Sequence, residues 1–153
     1  MAAFTTIDNP GIFYNTLTYT GTGSSLTVTG AGFQPDFTWI KNRDAADFHV
    51  LTDAVRGATK YWKSDSSAAE ITDAESLKSF DSDGFTVGTQ AEVNTNTEKY
   101  VSWNWKAGTT TGIAGSPSIT PTGYSFNQTS GFSIIAYTGT GSAETVPHGL
   151  GKA

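Results

Sequence analysis

The seven residues Tyr100-Val101-Ser102-Trp103-Asn104-Trp105-Lys106 constrain this chain more than any others. Val101, Trp103 and Trp105 alternate with Ser102, Asn104 and Lys106. A period of two places the first set on one face of a β-sheet and the second on the other. The expectation is a strand whose tryptophan face packs inward, against Phe37 and Trp39, while its polar face points to solvent.

The same logic marks strands at Tyr14 to Thr20, Ser25 to Thr29, Phe37 to Lys41, Phe48 to Leu51, Gly84 to Val87 and Phe132 to Thr138. Thr, Val, Ile and aromatic residues dominate them. Turn residues bound them: Gly21-Thr22-Gly23, Gly30-Ala31-Gly32, Asp83-Gly84 and Gly139-Thr140-Gly141. Two stretches read differently. Asp53 to Lys60 suits a helical turn that Gly57 weakens, and Ser66 to Lys78 reads as a mobile loop with at most one helical turn. Composition supports the β assignment. Charged residues are 15%, against about a quarter in an average soluble domain, whereas Ser and Thr number 40 and Gly 17. Long surface helices need the Glu, Lys and Arg that are scarce here. The expected fold is all-β: an antiparallel β-sandwich, jelly-roll or lectin-like.

A net charge of −5 disfavours a phosphate backbone, so no nucleic acid is expected as partner. No run approaches the roughly 18 apolar residues of a membrane helix, and Met1 to Thr6 lacks the basic start and apolar run of a signal peptide. Cysteine is absent, which removes disulfides, thiolate nucleophiles and Cys metal sites together. A cysteine-free protein working outside a cell must draw durability from packing or oligomerisation.

An internal repeat organises the chain. Tyr19-Thr20-Gly21-Thr22-Gly23-Ser24 recurs as Tyr137-Thr138-Gly139-Thr140-Gly141-Ser142, with Leu17 matching Ile135 and Val28 matching Val146. With one residue inserted, Gly30-Ala31-Gly32 aligns with Gly149-Leu150-Gly151. The first copy goes on to Pro35-Asp36-Phe37 where the second stops at Ala153, so the natural polypeptide is expected to continue. The expected division is an N-terminal arm (1–11), a first β-sandwich module (12–107), an extended Gly/Thr/Ser/Pro-rich linker (108–130) and the start of a second module (131–153).

Tyr-Thr-Gly-x-Gly (19–23), Gly-Phe-Gln-Pro-Asp-Phe-x-Trp-Ile-Lys-Asn-Arg (32–43), Asp-x-Val-Arg-Gly-Ala-x-Lys (53–60), Ser-Phe-Asp-Ser-Asp-Gly-Phe (79–85) and Tyr-Val-x-Trp-x-Trp-Lys-Ala (100–107) occur in that order. The combination resembles a tandem β-repeat module of tailed-bacteriophage tail-fibre and other virion structural proteins, notably of marine phages. The resemblance implies a virion structural protein exposed on the particle surface, assembled as a homo-oligomer, a trimer by preference, and contacting other virion proteins. It implies a tail-associated fibre or adhesion role in host attachment, with a capsid decoration or head-fibre protein as the alternative. It implies no catalytic residue.

The candidate chemistry is thin. Asp81-Ser82-Asp83-Gly84 has part of a Ca²⁺-loop pattern, but the downstream Glu is missing and an Asp-Gly hairpin turn fits better. Asp47 and His49 share a strand face without an identifiable nucleophile, and there is no Gly-x-Ser-x-Gly elbow. His148 lies in a Gly-rich turn, too far along the chain from His49 to suggest a metal pair. Gly21-x-Gly23 and Gly139-x-Gly141 lack the Lys-Ser/Thr of a phosphate loop and read as hairpin turns. No cofactor and no metal is expected. Trp39, Trp103 and Trp105 read as core. Trp62, beside Tyr61, Lys60 and Lys63, is the candidate carbohydrate platform, for a host surface glycan. The enzyme alternative, a glycan depolymerase, would need paired carboxylates, and Asp44, Asp47 and Asp53 are the acids it would use.

Overall fold

The β-branched and aromatic runs form eleven strands in the computed structural model, which describes residues 7–151. They are β1 (Tyr14–Thr20), β2 (Leu26–Thr29), β3 (Phe37–Asn42), β4 (Val50–Asp53), β5 (Lys60–Lys63), β6 (Ile71–Thr72), β7 (Leu77–Asp81), β8 (Gly84–Val87), β9 (Lys99–Trp105), β10 (Gly123–Asn127) and β11 (Phe132–Ala136). A helical turn, α1 (Ala91–Asn94), precedes β9. A six-stranded sheet in the order β1-β9-β3-β4-β5-β6 packs on a three-stranded sheet, β2-β8-β7. β10 and β11 form a separate hairpin. Every pairing between these strands is antiparallel, so the all-β, sandwich-like expectation holds.

The assignment of faces does not hold. On β9 the buried residues are Tyr100, Ser102 and Asn104, while Val101, Trp103 and Trp105 are only half-buried. On β3, Thr38, Ile40 and Asn42 are buried, and Phe37 and Trp39 are half-buried. The core between the sheets is Val28, Ile40, Val50, Tyr61, Leu77, Phe85, Val87, Val93 and Tyr100. Burying polar groups is tolerable where each finds a partner. The Thr38 hydroxyl donates to Asn104 Oδ1 at 3.2 Å, and Asn104 Nδ2 donates to the Asn15 carbonyl at 3.2 Å. The tryptophans line the opposite face of the six-stranded sheet, where the β10–β11 hairpin covers one end. Phe132 of the hairpin stacks on Trp105 at 6.0 Å between centroids and meets Phe37 edge-on at 6.1 Å. The molecule thus has a third layer over the aromatic face.

That layer corrects a second expectation: residues 108–130 are not an extended linker throughout. They contain β10, which pairs with β11, and Thr109 bridges to Phe126. β11 occupies the sequence position, in the second repeat copy, that β1 holds in the first, and no strand follows it among the described residues. The stretch Ser66 to Lys78, read as a loop, contains β6 and the start of β7. β4 begins two residues later than expected, at Val50. The Gly21–Gly23 loop is not a hairpin turn, because β1 and β2 belong to different sheets. It crosses between the sheets so tightly that a Cβ on Gly21 would lie 2.1 Å from the Thr95 carbonyl oxygen. Residues 1–6 of the N-terminal arm and 152–153 of the second copy lie outside the described residues.

Asp36 ties the hairpin to the sandwich. Its carboxylate accepts the Ala107 N–H at 2.8 Å and the Ser125 hydroxyl at 3.1 Å, and all three residues are buried. Replacing Asp36 by alanine would strand those donors, at a cost of about 1–3 kcal/mol. Amide exchange in residues 123–136 should accelerate more than in β9. Equal acceleration in both would show that Asp36 stabilises the whole fold and not this junction.

Candidate functional site

Beside the aromatic layer the hairpin and the six-stranded sheet leave a groove of about 460 Å³. Its lining includes Phe37, Asp53, Arg56 and Trp62 on the sheet side and Phe132 to Tyr137 on the hairpin side. Six consecutive residues of one chain segment line it. Side chains of a strand alternate in direction, so β11 borders the groove with its edge as well as one face. Phe132, Ile134 and Ala136 share the strand face that carries Phe132 onto the sheet.

The sheet side is built locally. Asp53 closes β4 opposite Phe37. The chain then turns through Ala54 to Arg56, and Gly57, at φ +108, releases it toward β5. Asp53 Oδ1 accepts the Arg56 N–H at 2.9 Å, and Oδ2 accepts from Arg56 Nε at 2.5 Å. This turn folds the guanidinium back over the sheet. There its central carbon lies 3.3 Å from the Trp62 ring centroid. Arg56 Nη1 also pairs with Glu70 at 2.8 Å, and Lys60 Nζ reaches the other Glu70 oxygen at 3.6 Å. The Arg56 side chain is 10% exposed and Trp62 is 42% exposed. The ring therefore caps the guanidinium and keeps one face open, a rigid aromatic platform on an ion-paired base.

The Arg56 guanidinium, then its charge and that of Lys60, hold the Glu70 carboxyl below its usual range. A depressed carboxyl contributes stability above the unfolded-state value, about 4.3, and loses it as pH falls through the lower folded value. The charge pairing beneath the platform should be unchanged from pH 8 to about pH 5 and be lost at lower pH as Glu70 is protonated, with Trp62 still stacked on Arg56. Tryptophan fluorescence followed through that range should change in the wild type and not in Trp62→Phe.

Of the sequence candidates, Trp62 and Lys60 lie on this outer face and Tyr61 does not. Tyr61 is 3% exposed and points into the core, where its hydroxyl accepts from Gln90 Nε2 at 2.6 Å. Burial, and then the Glu92 carboxylate, raise its pKa. Tyr61 is therefore no part of a carbohydrate platform: neighbours on a strand face opposite ways. Lys63 shares that inward face and pairs with Glu92 at 2.5 Å. The three acids do not converge. Asp53 lies in the groove, whereas Asp47 accepts from Asn42 Nδ2 at 2.6 Å, at the other end of β3. Asp44 accepts the Lys99 N–H at 2.9 Å.

Other motifs have structural roles. Asp81 to Gly84 is the β7–β8 turn, with Gly84 at φ +149, and Asp83 caps the Gly30 and Gly32 N–H groups at 3.1 and 2.6 Å. His49 precedes β4 and accepts from the Trp39 indole N–H at 2.9 Å. His148 Nδ1 accepts the Leu150 N–H at 3.1 Å in a local turn. Among the described residues no group of three or more His, Asp or Glu side chains is placed to hold a metal. No helix there is long and apolar enough to cross a membrane.

Sequence reading missed Arg56, Glu70 and the hairpin wall. The Asp-x-Val-Arg-Gly spacing at 53–57 was the available signal for Arg56, since an Asp three residues ahead can fold an arginine back on itself. Glu70 and Phe132 carried no such signal, because tertiary packing alone brings them near Trp62 and Phe37.

The model of one protein family matches residues 9–153, both walls of the groove included. The chain belongs to that family, described as a domain of unknown function (DUF7483). No curated protein and no solved structure matches it. Because the family match runs without division through the sandwich, residues 108–130 and the hairpin, the groove lies within one family unit.

Proposed function

We propose that this DUF7483 chain is a non-catalytic β-module of a tailed-bacteriophage virion, part of a tail-associated fibre or adhesion protein, that holds host-surface glycan in the Trp62 groove. The observation that carries the binding role is the open face of Trp62, held flat over Arg56 beside an apolar wall. Pyranose rings present apolar C–H faces that stack on such rings, and sites of this kind fix a ligand with few polar groups. The virion assignment rests on the ordered motifs from Tyr19 to Ala107. Repetition favours attachment, since modules with weak sites gain avidity when several act together. A homotrimer bound to other virion proteins is the assembly proposed, and light scattering on the purified chain should give three times the monomer mass.

One observation favours a depolymerase: Asp53 and Glu70 share a single guanidinium. Against it, a glycosidase needs one carboxyl raised to act as general acid, and Glu70 is depressed. The test is incubation of the chain with host surface polysaccharide, measuring both retention and sugar release. Retention without release is expected. Release abolished by Asp53→Asn would overturn the non-enzymatic reading, and absence of retention would overturn glycan binding. Gold-labelled antibody against the chain should decorate the tail of the particle, and labelling of the capsid shell would make it a decoration protein.

A further inference from the structure

We propose that Glu70 is the specificity-determining residue of the groove, an internal carboxylate that occupies its cationic subsite and so restricts it to neutral glycans. The inference rests on the glycan reading above. Arg56 lies over Trp62 and Lys60 shares the strand face of Trp62, and both cations pair with Glu70, Lys60 with its side chain 45% exposed. Arg56 gives Nε to Asp53 at 2.5 Å and Nη1 to Glu70 at 2.8 Å, while Nη2 points to the Leu51 carbonyl at 3.5 Å. Lys60 is within 3.6 Å of Glu70. One glutamate, 33% exposed at its side chain, thus faces the outward side of the arginine and the one other cation paired with that cluster among the described residues. Asp53, 2% exposed, saturates the inward side.

A carboxylate-bearing sugar would seek the bidentate guanidinium that such ligands favour. Here it would have to displace Glu70 and meet the remaining charge of Asp53, in a chain of net charge −5. A neutral pyranose meets no such conflict. It stacks on Trp62 and leaves every ion pair intact, against a wall that includes Phe37, Phe132 and Ile134. Glu70 approaches from the segment between β5 and β6, not from the groove lining itself. Its exchange therefore alters charge at the platform without removing a stacking surface.

The test uses the whole chain and matched pairs of probes: galactotriose against trigalacturonate, and mannotriose against trimannuronate, titrated by calorimetry. Wild type should bind the neutral member of at least one pair about tenfold or more tighter than its uronate. That affinity should change by less than about twofold between low and high salt, since no net charge is exchanged. Glu70→Gln should retain the neutral affinity within about twofold, gain about fivefold or more for the uronate, and make uronate binding fall with salt. Glu70→Asp, which keeps the charge, should preserve the wild-type discrimination and control for loss of fold. A wild type that prefers the uronates, or a folded Glu70→Gln with unchanged discrimination, overturns the role of Glu70 while leaving glycan binding standing. Failure of the wild type to bind either member of both pairs at millimolar concentration overturns both.

Discussion

Replacing Tyr100 by alanine should destabilise this protein more than any other single truncation, by about 3–5 kcal/mol, lowering the melting temperature by about 10 °C or more. Tyr100 is the largest fully buried side chain. Its ring stacks on Tyr19 at 5.1 Å, joining adjacent strands β1 and β9. Its hydroxyl donates to the Ala91 carbonyl at 2.7 Å and accepts the Thr95 N–H at 2.8 Å, which fixes α1 and the turn after it. Burial raises the pKa of that phenol, consistent with a group that acts only as a neutral hydrogen-bonding partner. Tyr100→Phe separates the two contributions. It keeps the ring and strands the Ala91 carbonyl and the Thr95 N–H, so it should cost about 1–3 kcal/mol. Thermal denaturation of both variants is the measurement. A Tyr100→Ala variant that melts within 3 °C of wild type, a margin of about 1 kcal/mol, would show that the core is not organised around this residue.

Trp62→Ala should have the largest effect on binding, weakening glycan affinity by about tenfold or more while changing stability by about 1 kcal/mol or less. The asymmetry follows from exposure. Trp62 at 42% is far more exposed than the core aromatics, and its close ring contact in the folded protein is with Arg56. Trp62→Phe should retain part of the affinity, because the stacking face survives in reduced area. Equal affinity of Trp62→Ala and wild type for the same saccharide would move the site elsewhere. A loss of stability as large as that of Tyr100→Ala would make Trp62 a structural residue first.

Period-two alternation at β1, β3, β8 and β9 was legible because a strand imposes it whatever it packs against. β1 and β8 were bounded in sequence where they lie in the structure. β5, β6, β7 and β10 were not. KYWK at β5 mixes cations with aromatics, and β10 follows a Gly- and Pro-rich stretch that looks like linker. An outward-facing Trp62 was legible from the lysines around it, but Tyr61 beside it faces the core. Adjacency in sequence suggested a joint surface where strand geometry separates the pair.

From the sequence alone came the β class, the antiparallel sandwich, most strand positions, the Asp83-Gly84 turn and an exposed tryptophan flanked by lysine. Tertiary structure alone decided which face of β9 is the core. Alternation defines two faces and is silent on which one meets the second sheet. Large aromatics suggest the core, yet here Ser102, Asn104, Thr38 and Thr52 lie within it. Thr38 and Asn104 find their partners across strands distant in sequence, and a third layer from residues 123–136 shelters Trp105 instead. The groove exists for the same reason. Trp62, Arg56 and Glu70 meet by folding of one module edge, and Phe132 arrives from a hairpin some seventy residues further along the chain, a distance over which no local pattern can signal contact.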